Sequence, residues 1–289
     1  MKTQASIYWL ASYPKSGNTW MRVFIANLVS NTHDGIDINA INSGSIASDR
    51  LWMDSVLGFD SADLFTAEID RIRPEIYRWT VSGTEQVVSY NKIHDACTRS
   101  ESGEPVISLD ATLGALYILR NPLDVCISAS FHWGCSIDET IERMADKHHV
   151  IASSDQGLKQ QIHQHLLSWS DHVLSWVDAT DFPVLVLRYE DMLSNPLQSF
   201  SIASDFLHLS TSEEKIKSAV ENSRFENLSA QEEKHGFKER SKHAERFFRA
   251  GKAGGWRQTL NSQQIDKIIS DHEQVMLRFH YLNKNGEPC

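Results

Sequence analysis

The stretch Tyr13-Pro-Lys-Ser-Gly-Asn-Thr-Trp20 constrains this chain most, because it joins an apolar run of strand length directly to a segment of helical periodicity. Ile7-Tyr-Trp-Leu-Ala11 lies upstream, and Met21, Phe24, Ile25, Leu28 and Val29 recur at helical spacing downstream. Strand, tight turn and helix in that order form the junction at which phosphate-binding loops sit. Gly17 permits the turn, the amides of Gly17, Asn18 and Thr19 open the helix toward an anion, and Lys15 with the Ser16 and Thr19 hydroxyls completes the cradle. A Walker A loop is excluded, since its lysine follows its second glycine whereas Lys15 precedes the only glycine of the stretch. On local grounds alone, the same residues also suit an ordinary helix start.

The chain's 289 residues suffice for one large α/β domain, and no Pro/Gly/Ser-rich linker divides it, so one domain over residues 1–289 is expected. Its formal net charge of −10 repels nucleic acid, anionic membranes and polyanionic nucleotides alike, so any anion site must be locally basic. The first apolar run is too short for a signal peptide and nothing reaches membrane-spanning length, which leads to the expectation of a soluble cytoplasmic protein. Cys97, Cys126, Cys135 and Cys289 are scattered and never paired as CxxC, a pattern of reduced thiols rather than of a disulfide frame or a zinc knuckle.

Three further strands are expected. Gln86 to Ile93 is rich in β-branched and aromatic residues and ends in Lys92-Ile-His94, with Lys92 and His94 on one face at the strand exit. In an open α/β sheet ligands bind beyond the carboxyl ends of strands, which directs both residues toward the Lys15 loop. Gly114 to Arg120 is the next, with Arg120 at its exit and Ser128 two helical turns into the following helix, so that a guanidinium and a hydroxyl can flank one phosphate. Phe182 to Tyr189 is the fourth; Glu190 and Asp191 at its exit suit either an acid/base couple or caps on backbone amides, and Asn195-Pro196 opens another helix.

Between these strands, Asn31 to Asp49 reads as a surface loop. Trp52, Met53, Leu57, Phe59 and Phe65 suit plain core or the wall of an acceptor pocket. Ile137 to Gly157 reads as a solvated loop, and its His148-His149 pair lacks the matched carboxylate of a metal site. From Leu158 through Ile162, Leu166, Trp169 and Val173 to Val177 the spacing predicts one long helix carrying His163, His165 and His172 on its surface. Glu232 to Arg246 reads as an exposed charged loop, and Ile265, Ile268, Val275, Met276 and Phe279 mark a final helix.

YPKSGNTW resembles the loop YPKSGTTW with which cytosolic-type sulfotransferases grip the 5′-phosphosulfate of 3′-phosphoadenosine 5′-phosphosulfate (PAPS), only Asn18 departing. Lys92-Ile-His94 resembles that family's Lys-Thr-His, and RNPLDVCIS from Arg120 to Ser128 matches its 3′-phosphate motif RNxxDVxxS at every fixed position. Ser223-Arg-Phe225 resembles its Thr-Ser-Phe element, and Arg249 to Arg257 resembles RKGxxGxWK with Ala250 and Arg257 in place of lysines. The resemblance implies a single-domain, three-layer fold of the P-loop kind, with a mostly parallel central sheet flanked by helices.

It further implies a PAPS-dependent sulfotransferase with no metal, yielding 3′,5′-adenosine bisphosphate (PAP). His94 would be the general base, with Lys15 and Lys92 beside it in catalysis. Lys15, Ser16, Gly17, Asn18, Thr19, Trp20, Arg120, Ser128, Tyr189, Phe225, Arg249, Ala250 and Gly251 would bind the nucleotide, with Phe225 stacked opposite Trp20. The acceptor would be a small molecule, aromatic or otherwise bulky, bordered by Phe131, His132 and Trp133. The family's dimer motif would begin at Arg257, and Asn261, Ser262 and Asp266 break it. A nucleotide kinase would lack its Walker lysine here; a silent nucleotide-binding protein is the other reading, against which the joint retention of Lys15 and His94 argues.

Overall fold

Five consecutive buried residues, Ile7–Ala11, form the strand β1, which pairs in parallel on both sides. The structure, a computed structural model, describes residues 6–30, 35–42, 44–82, 88–100, 103–153, 159–209 and 211–289. Along the chain the elements run β1 (Ile7–Ala11), α1 (Asn18–Val29), α2 (Arg50–Leu57), α3 (Thr66–Ser82), β2 (Ser89–Ile93), β3 (Thr112–Leu119), α4 (Pro122–Trp133), α5 (Ile137–Ala145), β4 (Val150–Ile151), β5 (Gln164–His165), α6 (Trp169–Val177), β6 (Val184–Arg188), α7 (Tyr189–Ser194), α8 (Pro196–Phe206), α9 (Glu213–Asn222), α10 (Phe225–His235), α11 (Trp256–Thr259) and α12 (Ser262–Arg278). The order across the main sheet is β2-β1-β3-β6, and β4 pairs with β5 in a separate antiparallel ribbon. An α/β fold with a parallel sheet is therefore as expected. Among the described residues, no helix is long and apolar enough to cross a membrane.

Contacts group the chain into two compact units, Met1–Tyr13, Gly44–Tyr117 and Asp146–Val186 forming the first and Pro14–Ser43, Ile118–Ala145 and Leu187–Cys289 the second. In the first, Trp9, Trp169, Trp176, Tyr77 and Tyr117 are buried aromatic core, and the Trp9 indole N–H donates to Thr112 Oγ1 at 2.9 Å. Within this apolar interior lies a fully buried ion pair. Arg73 donates from both terminal nitrogens to Asp95, at 3.0 and 2.7 Å, and both side chains are 0% exposed. Burial alone would pull the Arg73 pKa down, but Asp95 and the Tyr77 oxygen outweigh it and keep the guanidinium charged. A further Asp95 lone pair accepts the peptide N–H of His165 at 2.9 Å.

The second unit packs α1 against α9, α9 against α8, and α12 against α4 and α5. Val23 and Ala26 of α1 meet Leu228, Phe237 and Phe248 in one of its apolar clusters. Local signals set several helix starts: Asn121 caps α4 by accepting from the Leu123 amide with Pro122 following, and Asn261 with Gln264 closes a reciprocal capping box on α12.

The structure corrects several readings of the sequence. Residues 137–145 are the helix α5 rather than loop, with Thr140, Ile141 and Met144 buried, and His149 is buried as well. The long helix expected from Leu158 exists only as α6; before it, Ile162 to Leu167 are extended or irregular, because the backbone there pairs with Val150–Ile151 and with Ser48. His163 and His172 are accordingly interior, not surface, side chains, and His165 is partly buried. Glu232, read as loop, lies in α10 and is buried because it accepts the amides of Phe247 and Phe248. Of the Trp52 to Phe65 group only Met53 is buried; Phe59 and Phe65 are exposed. The expected strand over 86–93 begins at Ser89, Gln86, Val87 and Leu158 lying outside the described residues.

Removing one partner of the Arg73–Asp95 pair leaves a buried charge unpaired, so Asp95→Ala should lose about 3–5 kcal/mol of stability in urea denaturation. A loss below about 1 kcal/mol would show that the site admits water freely.

Candidate active site

The loop after β1 turns through two left-handed residues, Lys15 at φ 71° and Gly17 at φ 111°. A side chain at Gly17 would also meet the Tyr189 ring at 2.8 Å, so the position is restricted twice over. Gly17 is the N-cap of α1 and brings no capping side chain, and the first turn holds no acidic residue, so the positive end of the helix is not neutralised from within. Ser16 is 1% exposed and its hydroxyl has no partner, a buried donor facing an unmet demand. The Lys15 ammonium rests 4.0 Å over the Phe247 ring. Trp20 packs edge-on against Tyr189 and Phe200, at centroid distances of 5.9 and 5.2 Å, and Trp20 and Phe225 both border the apolar cluster around Val23 and Leu228.

Arg120, at the end of β3, joins this loop to the glycine-rich one. Its guanidinium donates to the Lys15 carbonyl at 2.9 Å and to the Lys252 carbonyl at 3.1 Å, and it lies 4.3 Å over the Tyr189 ring. Its Nε is buried without a partner. Arg249 lies 4.4 Å over Phe131, and desolvation together with the charge of Arg120 lowers its pKa. Two guanidiniums that repel each other form a site an anion relieves. Ser128 sits part-buried on α4. Gly251 has positive φ and its α-carbon abuts the Phe225 ring. A cavity of about 380 Å³ runs past Phe225, Ala250, Gly251 and Lys252, with Glu226 and Glu233 also in its lining.

Sequence reasoning missed the role of Asp124, although it is a fixed residue of the RNxxDVxxS pattern. Its carboxylate accepts the amides of Gly254 at 2.6 Å and Trp256 at 3.1 Å, which anchors the glycine-rich loop. Glu190, weighed as an acid/base partner, instead accepts the Asn121 amide and the Tyr281 hydroxyl, both at 3.0 Å.

In the first unit, Lys92 and His94 are both half-exposed while Asn91, Ile93 and Asp95 are buried, which is the alternation the strand reading expects. His94 Nδ1 lies 2.8 Å from the Ser12 carbonyl, which can only accept, so Nδ1 carries the proton and Nε2 the lone pair. A second imidazole, this one buried, holds the His94 backbone: His172 Nε2–H donates to the His94 carbonyl at 3.0 Å, and its Nδ1 accepts from the Tyr117 hydroxyl at 2.9 Å. Burial pushes the His172 pKa down to about 4, against the opposing pull of that carbonyl and of Asp95. Neutral His172 thus fits both of its bonds. No periodicity signal marks it, because it lies on a helix whose spacing reads as ordinary core. Asp70, His163 and His165 also converge, unforeseen from the sequence.

The family model described as sulfotransferase domain matches residues 6–280. Flavonol 3-sulfotransferase of Flaveria bidentis is 24% identical over 281 residues, spanning 92% of this chain and 80% of that one. Amine sulfotransferase of Oryctolagus cuniculus is 27% identical over 176 residues, 57% of this chain and 54% of that one. Among solved structures, retinol dehydratase in complex with androsterone and inactive cofactor PAP superposes with a TM-score of 0.59 at 21% identity, covering 94% of this chain and 81% of that one. Mouse sulfotransferase SULT7A1 complexed with PAP gives 0.56 at 16% identity, over 94% and 87%.

A histidine held neutral in the fold but free to protonate when unfolded destabilises the fold as pH falls. With a folded pKa of about 4 against an unfolded value of about 6.5, His172 is neutral in both states above the unfolded value and withdraws stability as pH falls through that window. The loss should approach about 3 kcal/mol near pH 4. Denaturation series at pH 7.5, 6, 5 and 4 check this: His172→Gln should be less stable at pH 7.5 and show a shallower decline, whereas an unchanged slope would refute it.

Proposed function

The chain belongs to the sulfotransferase domain family, and from that premise we propose that it transfers the sulfuryl group of PAPS to a hydroxyl or amine of a small molecule and releases PAP. The observation that carries the reading is the basic set of Lys15, Arg120 and Arg249 in the second unit of a chain whose net charge is −10. A locally cationic loop system in an acidic protein is built for a polyanion. The buried, partnerless Ser16 hydroxyl and Arg120 Nε fit phosphate oxygens, and the left-handed Gly17 leaves room for the approach.

In this reading Lys15, Ser16, Gly17, Asn18 and Thr19 hold the 5′-phosphosulfate; Arg120, Ser128, Arg249, Ala250 and Gly251 hold the 3′-phosphate; Trp20, Tyr189 and Phe225 surround the base. PAPS supplies an activated sulfuryl group. His94 Nε2 takes the proton from the acceptor nucleophile, and its Nδ1–H bond to Ser12 stabilises the imidazolium that forms. Lys15 and the amides that open α1 neutralise charge on the departing phosphate oxygen, and Lys92 adds positive charge at the exit of β2. The hydroxyl and amine acceptors echo the names of the flavonol and amine relatives. Residues 1–289 act as a single sulfotransferase domain, supported by the span of the family match, and a cytoplasmic location goes with this assignment.

His94→Ala should lower turnover about 10²-fold or more while PAP affinity stays within a few-fold, measured by transfer of labelled sulfate to a panel of phenols and amines and by calorimetry. Near-normal turnover would remove His94 from the chemistry. An arginine in a desolvated contact to phosphate contributes about 1.5–3 kcal/mol, so Arg120→Ala should weaken PAP roughly 10- to 150-fold and leave ADP nearly unaffected. Equal losses for both nucleotides would mean that Arg120 acts only through the Lys15 and Lys252 carbonyls it holds.

A further inference from the structure

Within the first unit, Asp70 of α3 meets two histidines from the segment around β5. His163 Nε2 lies 2.6 Å from one carboxylate oxygen and His165 Nε2 lies 3.1 Å from the other. One donor atom from each of the three side chains falls within 4.8 Å of the others. The cluster is interior, Asp70 being 8% and His163 6% exposed, while the His165 side chain is open to 28%. We propose that Asp70, His163 and His165 form a binding site for a divalent transition-metal ion of the zinc class.

Two imidazole nitrogens and a carboxylate are the donor set that suits zinc and its neighbours, whereas magnesium and calcium demand cages of oxygen. His163 and His165 are two apart in an extended stretch, so both point to one face, and each presents Nε2 to the same carboxylate. A metal at this point takes the two nitrogen lone pairs, each ring moving its N–H to Nδ1, and needs no oxidant or co-reactant. The open edge at His165 admits a water as fourth ligand.

The ligands are also braced from behind, as metal ligands characteristically are. The His165 peptide N–H donates to Asp95 Oδ1 at 2.9 Å and its carbonyl accepts the Ala96 amide at 2.7 Å, so the ligand's backbone is fixed on both sides. Asp70 and His163 lie 93 residues apart in sequence, and a bridge over so long a loop removes much conformational freedom from the unfolded chain. The ion would therefore act as a clip holding α3 to the segment that backs Asp95 and Ala96. The inference stands whether or not the sulfuryl-transfer assignment holds.

The test uses the full chain stripped by chelator and dialysed against Zn²⁺, Co²⁺ or Mg²⁺. One tightly retained Zn²⁺ per chain, visible ligand-field bands of low-symmetry Co²⁺, and a melting temperature raised on the order of 5 °C by excess Zn²⁺ but not by Mg²⁺ are expected. His165→Gln, at the most exposed ligand, and Asp70→Asn should each weaken Zn²⁺ about 100-fold or more, while His148→Gln, a surface histidine outside the cluster, should not. Retention of Zn²⁺ with full affinity in both ligand variants, an octahedral aquo-type cobalt spectrum, or no ion retained by the unaltered chain would overturn the proposal, leaving the three residues as a hydrogen-bonded charge cluster only.

Discussion

The Arg73–Asp95 pair is the interaction on which the first unit depends. A guanidinium and a carboxylate that are both 0% exposed persist only with additional hydrogen bonds around them, and here Tyr77 and the His165 amide supply some. Tyr77, whose oxygen accepts the Arg73 Nε–H at 3.3 Å, donates its own O–H to the Ala47 carbonyl at 2.9 Å. The Asp95 carbonyl accepts the Trp176 indole N–H at 3.0 Å. Asp95 is thus immobilised through side chain and backbone together, and His94 is the residue before it. The Tyr117–His172 chain grips the His94 carbonyl from another direction. Under the proposed role of His94 as the base, a backbone held on both sides would lose little entropy on meeting a substrate, and a buried network far from water would contribute to positioning.

The second unit relies on backbone anchoring instead of a single buried pair. Its loops carry the groups expected to face phosphate, and loops hold shape only if their amides and carbonyls are satisfied. Asp124 takes two amides of the glycine-rich loop, Glu232 takes those of Phe247 and Phe248, and Arg120 takes the carbonyls of Lys15 and Lys252. The left-handed conformation of Lys15 carries an intrinsic cost, which the Arg120 bond to its carbonyl helps to offset, while Gly17 adopts the same region without a side chain to strain.

Much of this was legible in residues whose local chemistry decides their structure. The run Ile7–Ala11, the glycine turn, and the Asn121-Pro122 and Asn195-Pro196 helix starts all carry their own signal. The segment from Leu158 to Val177 misled because Ile162, Leu166, Trp169 and Val173 are interior for different reasons: the later two on α6, the earlier two on extended chain paired with β4 and Ser48. Helical spacing in a sequence cannot distinguish a helix from a bend whose turns happen to place similar residues inward. His163, His165 and His172 were lost with it, since their partners, Asp70, Tyr117 and the His94 carbonyl, lie 93, 95, 55 and 78 residues away, distances over which no pattern in one sequence reports.

The acidity of the chain and the basicity of its anion loops are reconciled by where the carboxylates are used. Near the loops of the second unit, Asp124, Glu190 and Glu232 each accept backbone amides or a hydroxyl, so their charge is dispersed into dipoles. Among the described residues, neither Arg120 nor Arg249 forms an ion pair with a carboxylate, and burial with the neighbouring Arg120 charge lowers the Arg249 pKa while the guanidinium stays charged. Repulsion that is not relaxed by deprotonation favours an anion beside the pair. The same carboxylates that shape the loops, by spending their charge on amides, therefore leave the arginines available to the polyanion of the proposed function, and the net charge of −10 would restrict where on the protein such a ligand settles.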